Sequence, residues 1–212
     1  MVAILTYDTP IGGHVNISGF TGGDFNNTTL HIPVQDGSNN DVIGILSASL
    51  ANSTTTGSSL VFDNGSLVTS IGSNAFANCY GFNGGLTLPT GLQSIGDGAF
   101  FDCYGFTGGL VIPNGVTGIS IATFNNCYGF NGGLTLPTGL QSIGDSAFYN
   151  CYGFTGGLVI PNGVTGIGNN AFYNCYGFNG GLTLPTGLQS IGGGAFAGCT
   201  GFNGGLTLPT GL

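Results

Sequence analysis

The six cysteines are the residues whose type and spacing first suggest chemistry. They recur every 24 residues, at Cys79, Cys103, Cys127, Cys151, Cys175 and Cys199. Equivalent residues in stacked turns lie about 4.8 Å apart, which is close enough for disulfide bonds. Their Cβ atoms point in parallel, however, which is poor disulfide geometry, and no Cys-x-x-Cys or Cys-x-x-His pair offers a metal site. We therefore predict buried free thiols that behave as small hydrophobic side chains.

Histidine and aspartate are the other candidates for chemistry. The candidate metal pair is His14 and His31 with Asp24 or Asp36, and the candidate calcium ligands are Asp97, Asp102 and Asp145. Two isolated histidines are more typical of surface residues, and other repeats hold asparagine or glycine at the aspartate positions. No nucleophile–base pair recurs. We predict no metal, no cofactor and no enzymatic activity.

The charge composition excludes several classes of partner. The chain has 212 residues with eight acidic side chains, all aspartate, and no lysine or arginine, so its net charge is −8. Without a basic surface no counterions are released from phosphates, which argues against nucleic-acid binding. The apolar content of 41% argues against disorder. The longest apolar run is too short to span a bilayer, so we predict no membrane insertion.

A strict repeat positions these residues. Prolines and leucines keep the 24-residue step of the cysteines, and a 48-residue period alternates LTLPTGLQSIG with LVIPNGVTGI. Leu86 and Leu88 flank Thr87 with the alternation of a short strand, which Pro89 ends. A second extended stretch reaches Ile95, and the segment up to Cys103 has the spacing of one helical or 3₁₀ turn. The pattern predicts a mainly β repeat solenoid with 24-residue turns, short strands and short helical or 3₁₀ corners.

The first 78 residues carry a degenerate form of the same repeat. Residues 42–45 match residues 116–119, residues 19–23 match residues 105–109, and Ile32 with Pro33 matches Ile112 with Pro113. We predict degenerate N-terminal capping turns over residues 1–78 and regular leucine-rich repeats over residues 79–212, in one continuous domain.

The repeat resembles the BspA-type leucine-rich repeats, also called the Treponema pallidum type. The pattern L-x-I/L-P-x-x-V/L-x-x-I-G-x-x-A-F-x-x-C covers residues 60–212, and one unit shows it at Leu158, Ile160, Pro161, Val164, Ile167, Gly168, Ala171, Phe172 and Cys175. This chain lacks the lysines that are usual in the family, and Thr123 replaces the alanine of one unit. The resemblance implies a leucine-rich-repeat protein located outside the cell, or on a cell or virion surface, that acts in adhesion and protein binding.

Two outward-facing arrays are candidate contact surfaces. A tyrosine ladder comprises Tyr80, Tyr104, Tyr128, Tyr152 and Tyr176, and it ends at Thr200. It either stabilises the corner by ring stacking or contacts another protein, a filament or a glycan. A threonine array resembles that of ice-binding solenoids, but valines at positions 111 and 159 interrupt it. Five Asn-x-Ser/Thr sequons, at Asn16, Asn26, Asn27, Asn52 and Asn64, are candidate N-glycosylation sites.

Two functional classes remain open. The first is a structural protein that assembles head-to-tail with copies of itself into filaments or a surface layer. The chain stops midway through a regular unit, so we expect its N-terminus to complete the open turn of the next copy. The assembly interface would comprise Val2, Ile4, Leu5, Leu206, Leu208 and Leu212. The alternative is a surface adhesin that binds a host protein or glycan through the solenoid face.

Overall fold

The chain winds into a solenoid of short parallel strands, as the 24-residue period predicts. The computed structural model describes residues 4–21, 29–33, 35–36, 38–46 and 59–212. Each regular turn pairs in register with the next, so that Ser142 faces Gly166 and Ile143 faces Ile167. Every short strand thereby satisfies backbone hydrogen bonds that it could not satisfy alone.

The strands are long near the N-terminus and two residues long in the regular turns. The first five are β1 (Ile4–Tyr7), β2 (His14–Thr21), β3 (Thr29–Ile32), β4 (Asp41–Ile45) and β5 (Ser59–Phe62). The regular strands are β6 (Ser70–Ile71), β7 (Gly84–Gly85), β8 (Ser94–Ile95), β9 (Phe106–Thr107), β10 (Leu110–Val111), β11 (Gly118–Ile119), β12 (Leu134–Thr135), β13 (Ser142–Ile143), β14 (Leu158–Val159), β15 (Gly166–Ile167), β16 (Leu182–Thr183) and β17 (Ser190–Ile191).

The core consists of columns of identical side chains. The isoleucine column passes through two sheets, at Ile17, Ile45, Ile71, Ile95, Ile119, Ile143, Ile167 and Ile191. Buried phenylalanines stack beside it, with ring centroids of Phe76 and Phe100 5.1 Å apart and those of Phe100 and Phe124 5.3 Å apart. One contiguous core therefore runs along the stacked turns.

The corner of each turn differs from the predicted helical or 3₁₀ segment. In one corner, Ala99 N–H and Phe101 N–H donate to carbonyls three residues earlier, whereas Gly98 N–H donates to Ile121 O of the next turn. Gly98 and Asp102 have positive φ values of 59° and 58°. Alternating local and inter-turn bonds, with left-handed residues between them, exclude a continuous helix. The described residues accordingly contain turns at these corners and no helix.

The N-terminal segment also differs from the prediction. Strand β1 pairs antiparallel with β2, with Ile4 opposite Thr21, and Gly12 and Gly13 form the tight turn between them with positive φ values. The match of residues 19–23 to residues 105–109 is therefore wrong for residues 19–21, which continue β2 beyond Ile17 instead of following a corner. Hairpin pairing with β1 keeps these residues extended.

Farther along, the predicted register of the degenerate turns is correct. Ile45 pairs with Ile71, and β3 pairs with β5 so that Ile32 faces Phe62. The sheet that contains β4 continues through β6 to β8. The boundary at residue 78 remains a prediction.

Candidate functional site

The cysteine ladder lies inside the solenoid. The first five thiols are fully buried, and Cys199 is half-buried. The Cys103 Sγ–H donates to Phe76 O at 2.9 Å, and the Cys151 Sγ–H donates to Phe124 O at the same distance. Burial raises the pKa of the Cys103, Cys127, Cys151 and Cys175 thiols. These thiols therefore act as core residues that also bond the turns together, and the predicted burial is confirmed.

Cys199 has a different environment from the other thiols. Its hydrogen bond with the Cys175 side chain lowers the pKa of Cys199, although partial burial opposes this shift. A lowered pKa with partial exposure is the condition under which a thiol reacts. Its Sγ–H donates to Phe172 O at 2.9 Å, and partial exposure makes Cys199 the most accessible of the six thiols.

The structure does not bring the two histidines together. His31 lies in β3, where its Nδ1 is 2.7 Å from Asp63 Oδ1, whereas His14 begins β2 in another sheet. Asp36 accepts hydrogen bonds from Asn40, which lower the pKa of the Asp36 carboxyl. Asp24 lies outside the described residues. Within the described ranges, no three potential metal ligands cluster.

The turn aspartates bond neighbouring turns. Asp102 Oδ1 accepts from Asn126 Nδ2 at 2.7 Å, and the series continues from Asn150 to Asn126 at 2.9 Å. Asp97 accepts from Ile121 N–H and Asp145 from Asn169 N–H. These carboxylates therefore belong to a polar ladder along the corner.

The five tyrosines of the predicted ladder form a continuous stack. Successive ring centroids are 5.1 to 5.2 Å apart, at Tyr80, Tyr104, Tyr128, Tyr152 and Tyr176. Burial raises the pKa of Tyr80 and Tyr128. Stacking covers the ring faces, so a partner meets mainly ring edges and hydroxyl groups. What the ladder contacts remains a prediction.

The predicted assembly and glycosylation residues have varied environments. Leu5 packs against the chain's own core, Ile4 lies in β1, and Leu206, Leu208 and Leu212 are exposed. The Asn16 amide donates to Asp8 at 2.8 Å, and Asn64 is exposed. Val2, Asn26, Asn27 and Asn52 lie outside the described residues. The assembly and glycosylation roles remain predictions.

The groove face is the surface that carries the interrupted threonine array. We use this name for two exposed positions of each regular turn, one directly after the first leucine of the strand and one directly after the proline: Thr87, Thr90, Val111, Asn114, Thr135, Thr138, Val159, Asn162, Thr183 and Thr186. Val111 and Val159 are both 61% exposed. Strands β10 and β12 pair here so that Val111 faces Thr135, and β14 pairs with β16 so that Val159 faces Thr183.

Two equivalent depressions lie on the groove face, two turns apart. One, of about 530 Å³, is lined by Val111, Ile112, Pro113 and Asn114 together with residues of both neighbouring turns. The other, of about 420 Å³, is lined by the equivalent Val159, Ile160, Pro161 and Asn162. Thr135 lines both depressions. The 48-residue period was the sequence signal for the two depressions, because it alternates valine with threonine at the exposed position held by Val111, Thr135 and Val159.

Two smaller depressions lie at the ends of the row, each between two neighbouring turns. The first, of about 160 Å³, contains Phe62 and Asn64, and the last, of about 220 Å³, contains Thr207 and Thr210. The larger depressions are therefore centred on the turns that begin at Leu110 and Leu158, whereas the smaller ones are shared by the first two and by the last two turns of the row. No titratable side chain lines the two larger ones.

Stacked turns, in-register strands and consecutive columns of leucine and isoleucine define a leucine-rich-repeat protein. The model of the BspA-type leucine-rich-repeat region matches residues 52–179 with six copies, and the chain belongs to this family. A comparison with curated proteins gave no match. No helix in the described part of the chain has the length and apolar character needed to cross a bilayer.

Solved structures show the same architecture. A leucine-rich repeat protein from Bacteroides ovatus ATCC 8483 is 29% identical, with a TM-score of 0.59 over 94% of this chain and 44% of that one. The leucine-rich repeat protein of T. pallidum is 22% identical, with a TM-score of 0.54 over 94% of this chain and 88% of that one. A third, from Eubacterium ventriosum ATCC 27560, is 17% identical, with a TM-score of 0.51 over 88% and 59%. The chain thus spans less than half of the Bacteroides ovatus protein.

Proposed function

We propose that this chain is a non-enzymatic adhesin, located outside the cell or on a cell or virion surface, that binds a macromolecule through the groove face. The observation that carries this proposal is the exposure of Val111 and Val159. Equivalent outward positions hold Thr87, Thr135 and Thr183, so the fold itself does not require an apolar residue there. Exposed apolar residues repeated on a rigid surface are typical of interaction sites.

The chemistry of the groove face favours binding over catalysis. The two larger depressions are lined by aliphatic side chains, proline, threonine and asparagine, without a cysteine, histidine or carboxylate. Such a surface offers apolar contacts and neutral hydrogen bonds. It offers no general acid, general base or activated nucleophile. The thiols that could act as nucleophiles are mostly in the core.

Binding to immobilised macromolecules tests the adhesin proposal. Purified full-length chain would be passed over gelatin, fibrinogen and hydroxyethyl cellulose, and its retention measured by biolayer interferometry. We expect at least one of these surfaces to retain the protein. Thr135→Arg should weaken that retention about tenfold, because it places a charge between the two larger depressions. The control Thr165→Arg changes another exposed threonine, which lies outside the groove face. Absence of retention on all three surfaces, or equal loss in both variants, would contradict the proposal.

Self-assembly into filaments or a surface layer is the second candidate function. It is favoured by the low charge of the regular turns, because residues 79–212 contain three aspartates and no lysine, arginine or histidine. Little repulsion opposes contact between such surfaces. Negative-stain microscopy of the purified chain at neutral pH tests this candidate. Filaments or sheets would support it, and single particles at all concentrations would exclude it.

A further inference from the structure

The period of the groove face restricts the ligand that fits it. Neighbouring turns are about 4.8 Å apart, so depressions on every second turn recur at about 9.6 Å. A peptide in a β-strand presents side chains on one face every two residues, or about 6.6 to 6.8 Å. Because this repeat is shorter than the spacing between depressions, its second side chain already misses the next depression. A polyproline II helix has three residues per turn with a rise of about 3.1 Å, and thus repeats at about 9.3 Å. The spacing matches a polyproline II helix.

We propose that the groove face binds a neutral, proline-rich polypeptide in the polyproline II conformation. The peptide lies along the solenoid axis, and every third side chain enters a depression. This proposal rests on the proposed function, because it names the kind of macromolecule that the same surface binds. Its anchors are the depressions at Val111 and Val159, with the two smaller depressions as outer anchors.

The lining of the larger depressions suits such a peptide. Val111, Ile112 and Pro113 provide an apolar surface for an aliphatic or prolyl side chain, and Thr90 and Asn114 provide hydroxyl and amide groups beside it. A polyproline II backbone has no internal hydrogen bonds, so its carbonyls are free to accept from such groups. The conformation exists before binding, which reduces the entropy lost on association.

The absence of charge selects for a neutral peptide. Neither larger depression contains a lysine, arginine or aspartate. A charged anchor would lose its hydration there without gaining a partner. The smallest depression contains Asp63, but this carboxylate already lies 2.7 Å from His31.

The row of depressions also predicts the length of the ligand. About five turn spacings separate the first depression from the last, which is about 24 Å. A peptide of twelve residues in the polyproline II conformation spans about 37 Å and covers the whole row. Six residues would cover only the two larger depressions, so affinity should rise with length.

Two labelled peptides of identical composition test the period. The probe is (Pro-Pro-Leu)₄, and the control peptide has two of its leucines moved by one position. Fluorescence polarisation with the full-length chain should give an affinity about tenfold higher for the regular peptide, since displaced leucines miss their depressions. Equal affinities for the two peptides, or no binding of either, would overturn the proposal.

Two double variants test the location of the site. Val111→Thr with Val159→Thr installs the residue that adjacent turns already hold, so the fold is retained while the larger depressions lose methyl groups. We expect about fivefold weaker binding of (Pro-Pro-Leu)₄. The matched control, Thr117→Val with Thr165→Val, makes the reverse change at exposed positions outside the groove face and should leave affinity unchanged. Equal affinity of the groove variant and the wild type would overturn the proposal.

The two proposals fail in distinguishable ways. If fibrinogen or hydroxyethyl cellulose is retained, and Thr135→Arg reduces the retention, while neither peptide binds, then the adhesin proposal stands and the polyproline II proposal is wrong. If no immobilised surface and no peptide binds, both are wrong.

Discussion

Each buried cysteine occupies the same position of its turn, three residues after a buried phenylalanine. Cys127 follows Phe124, and its Sγ–H donates to Phe100 O of the preceding turn at 2.9 Å. The thiol thereby gives Phe100 O a second donor beside Cys103 N–H, while filling the volume of a small apolar side chain. Burial, which is complete for the first five thiols and partial for Cys199, therefore decides the accessibility of each thiol.

Thiol titration should distinguish Cys199 from the other cysteines. At pH 8, we expect native protein to react rapidly with about one equivalent of a thiol reagent, because Cys199 is half-buried whereas the other five thiols are fully buried. Denatured, unreduced protein should react with all six thiols. Cys199→Ser should remove the rapid native reaction. Its persistence in that variant would contradict the assignment.

The buried thiols should make the fold sensitive to alkaline pH. Their pKa is raised in the folded state, so above about pH 9 the unfolded chain loses protons that the folded chain keeps, and the free energy of unfolding falls as pH rises. Each such thiol contributes up to about 1.4 kcal/mol per pH unit. Urea unfolding of Cys151→Ser between pH 8 and pH 10.5 should therefore show a shallower decline than the wild type. Parallel declines would contradict this.

At the scale of the element, close approach between turns explains one set of glycines. A Cβ on Gly129 would lie against the carbonyl oxygens of Tyr104 and Phe106. Gly133, four residues later, has no neighbouring atom within 4 Å of such a Cβ. The first glycine is required because successive backbones are in contact there, whereas the second faces open space.

Alanine substitution separates these two glycines. Gly129→Ala should lower the free energy of unfolding by about 1–3 kcal/mol, because two backbones must move apart. Gly133→Ala should leave it unchanged or raise it by about 0.4–1 kcal/mol, since alanine restricts the unfolded chain. Urea unfolding at neutral pH measures both. Equal destabilisation by the two variants would contradict the close-contact argument.

At the scale of the whole molecule, the charge is uniformly negative. The net charge of −8 comes from aspartates without lysine or arginine partners. Such charge opposes contact between copies, and most of the other exposed side chains are neutral. Solubility of this protein therefore depends on few ionised groups.

Acidification should promote association. As pH falls from 7 to 3.5, the net negative charge of the chain decreases, so the repulsion between copies weakens. Static light scattering should rise between pH 7 and pH 3.5. Added salt at pH 7 serves as a control, since it screens the same repulsion without changing protonation. Scattering that stays flat over the whole pH range would contradict this prediction.

Much of the architecture could be predicted from residue spacing alone. The same residue types recur at the same positions of successive turns, so Ile95, Phe100 and Cys103 must each form a column when the turns stack. Their apolar character places these columns inside the solenoid. The same reasoning correctly placed Leu110 inward and Val111 outward. It also aligned Ile45 with the regular isoleucines, because local alternation decides which side of a strand is buried.

Features that depend on contacts between distant residues were decided only by the tertiary structure. The corner before Cys103 is not helical, because alternate N–H groups bond to a turn 24 residues away, which local spacing does not reveal. The pairing of Ile4 with Thr21 likewise overrode a repeat match. The depressions at Val111 and Val159 exist only between stacked turns, since each is lined by three of them. The sequence determined the period of the surface, but its shape arises from how neighbouring turns pack.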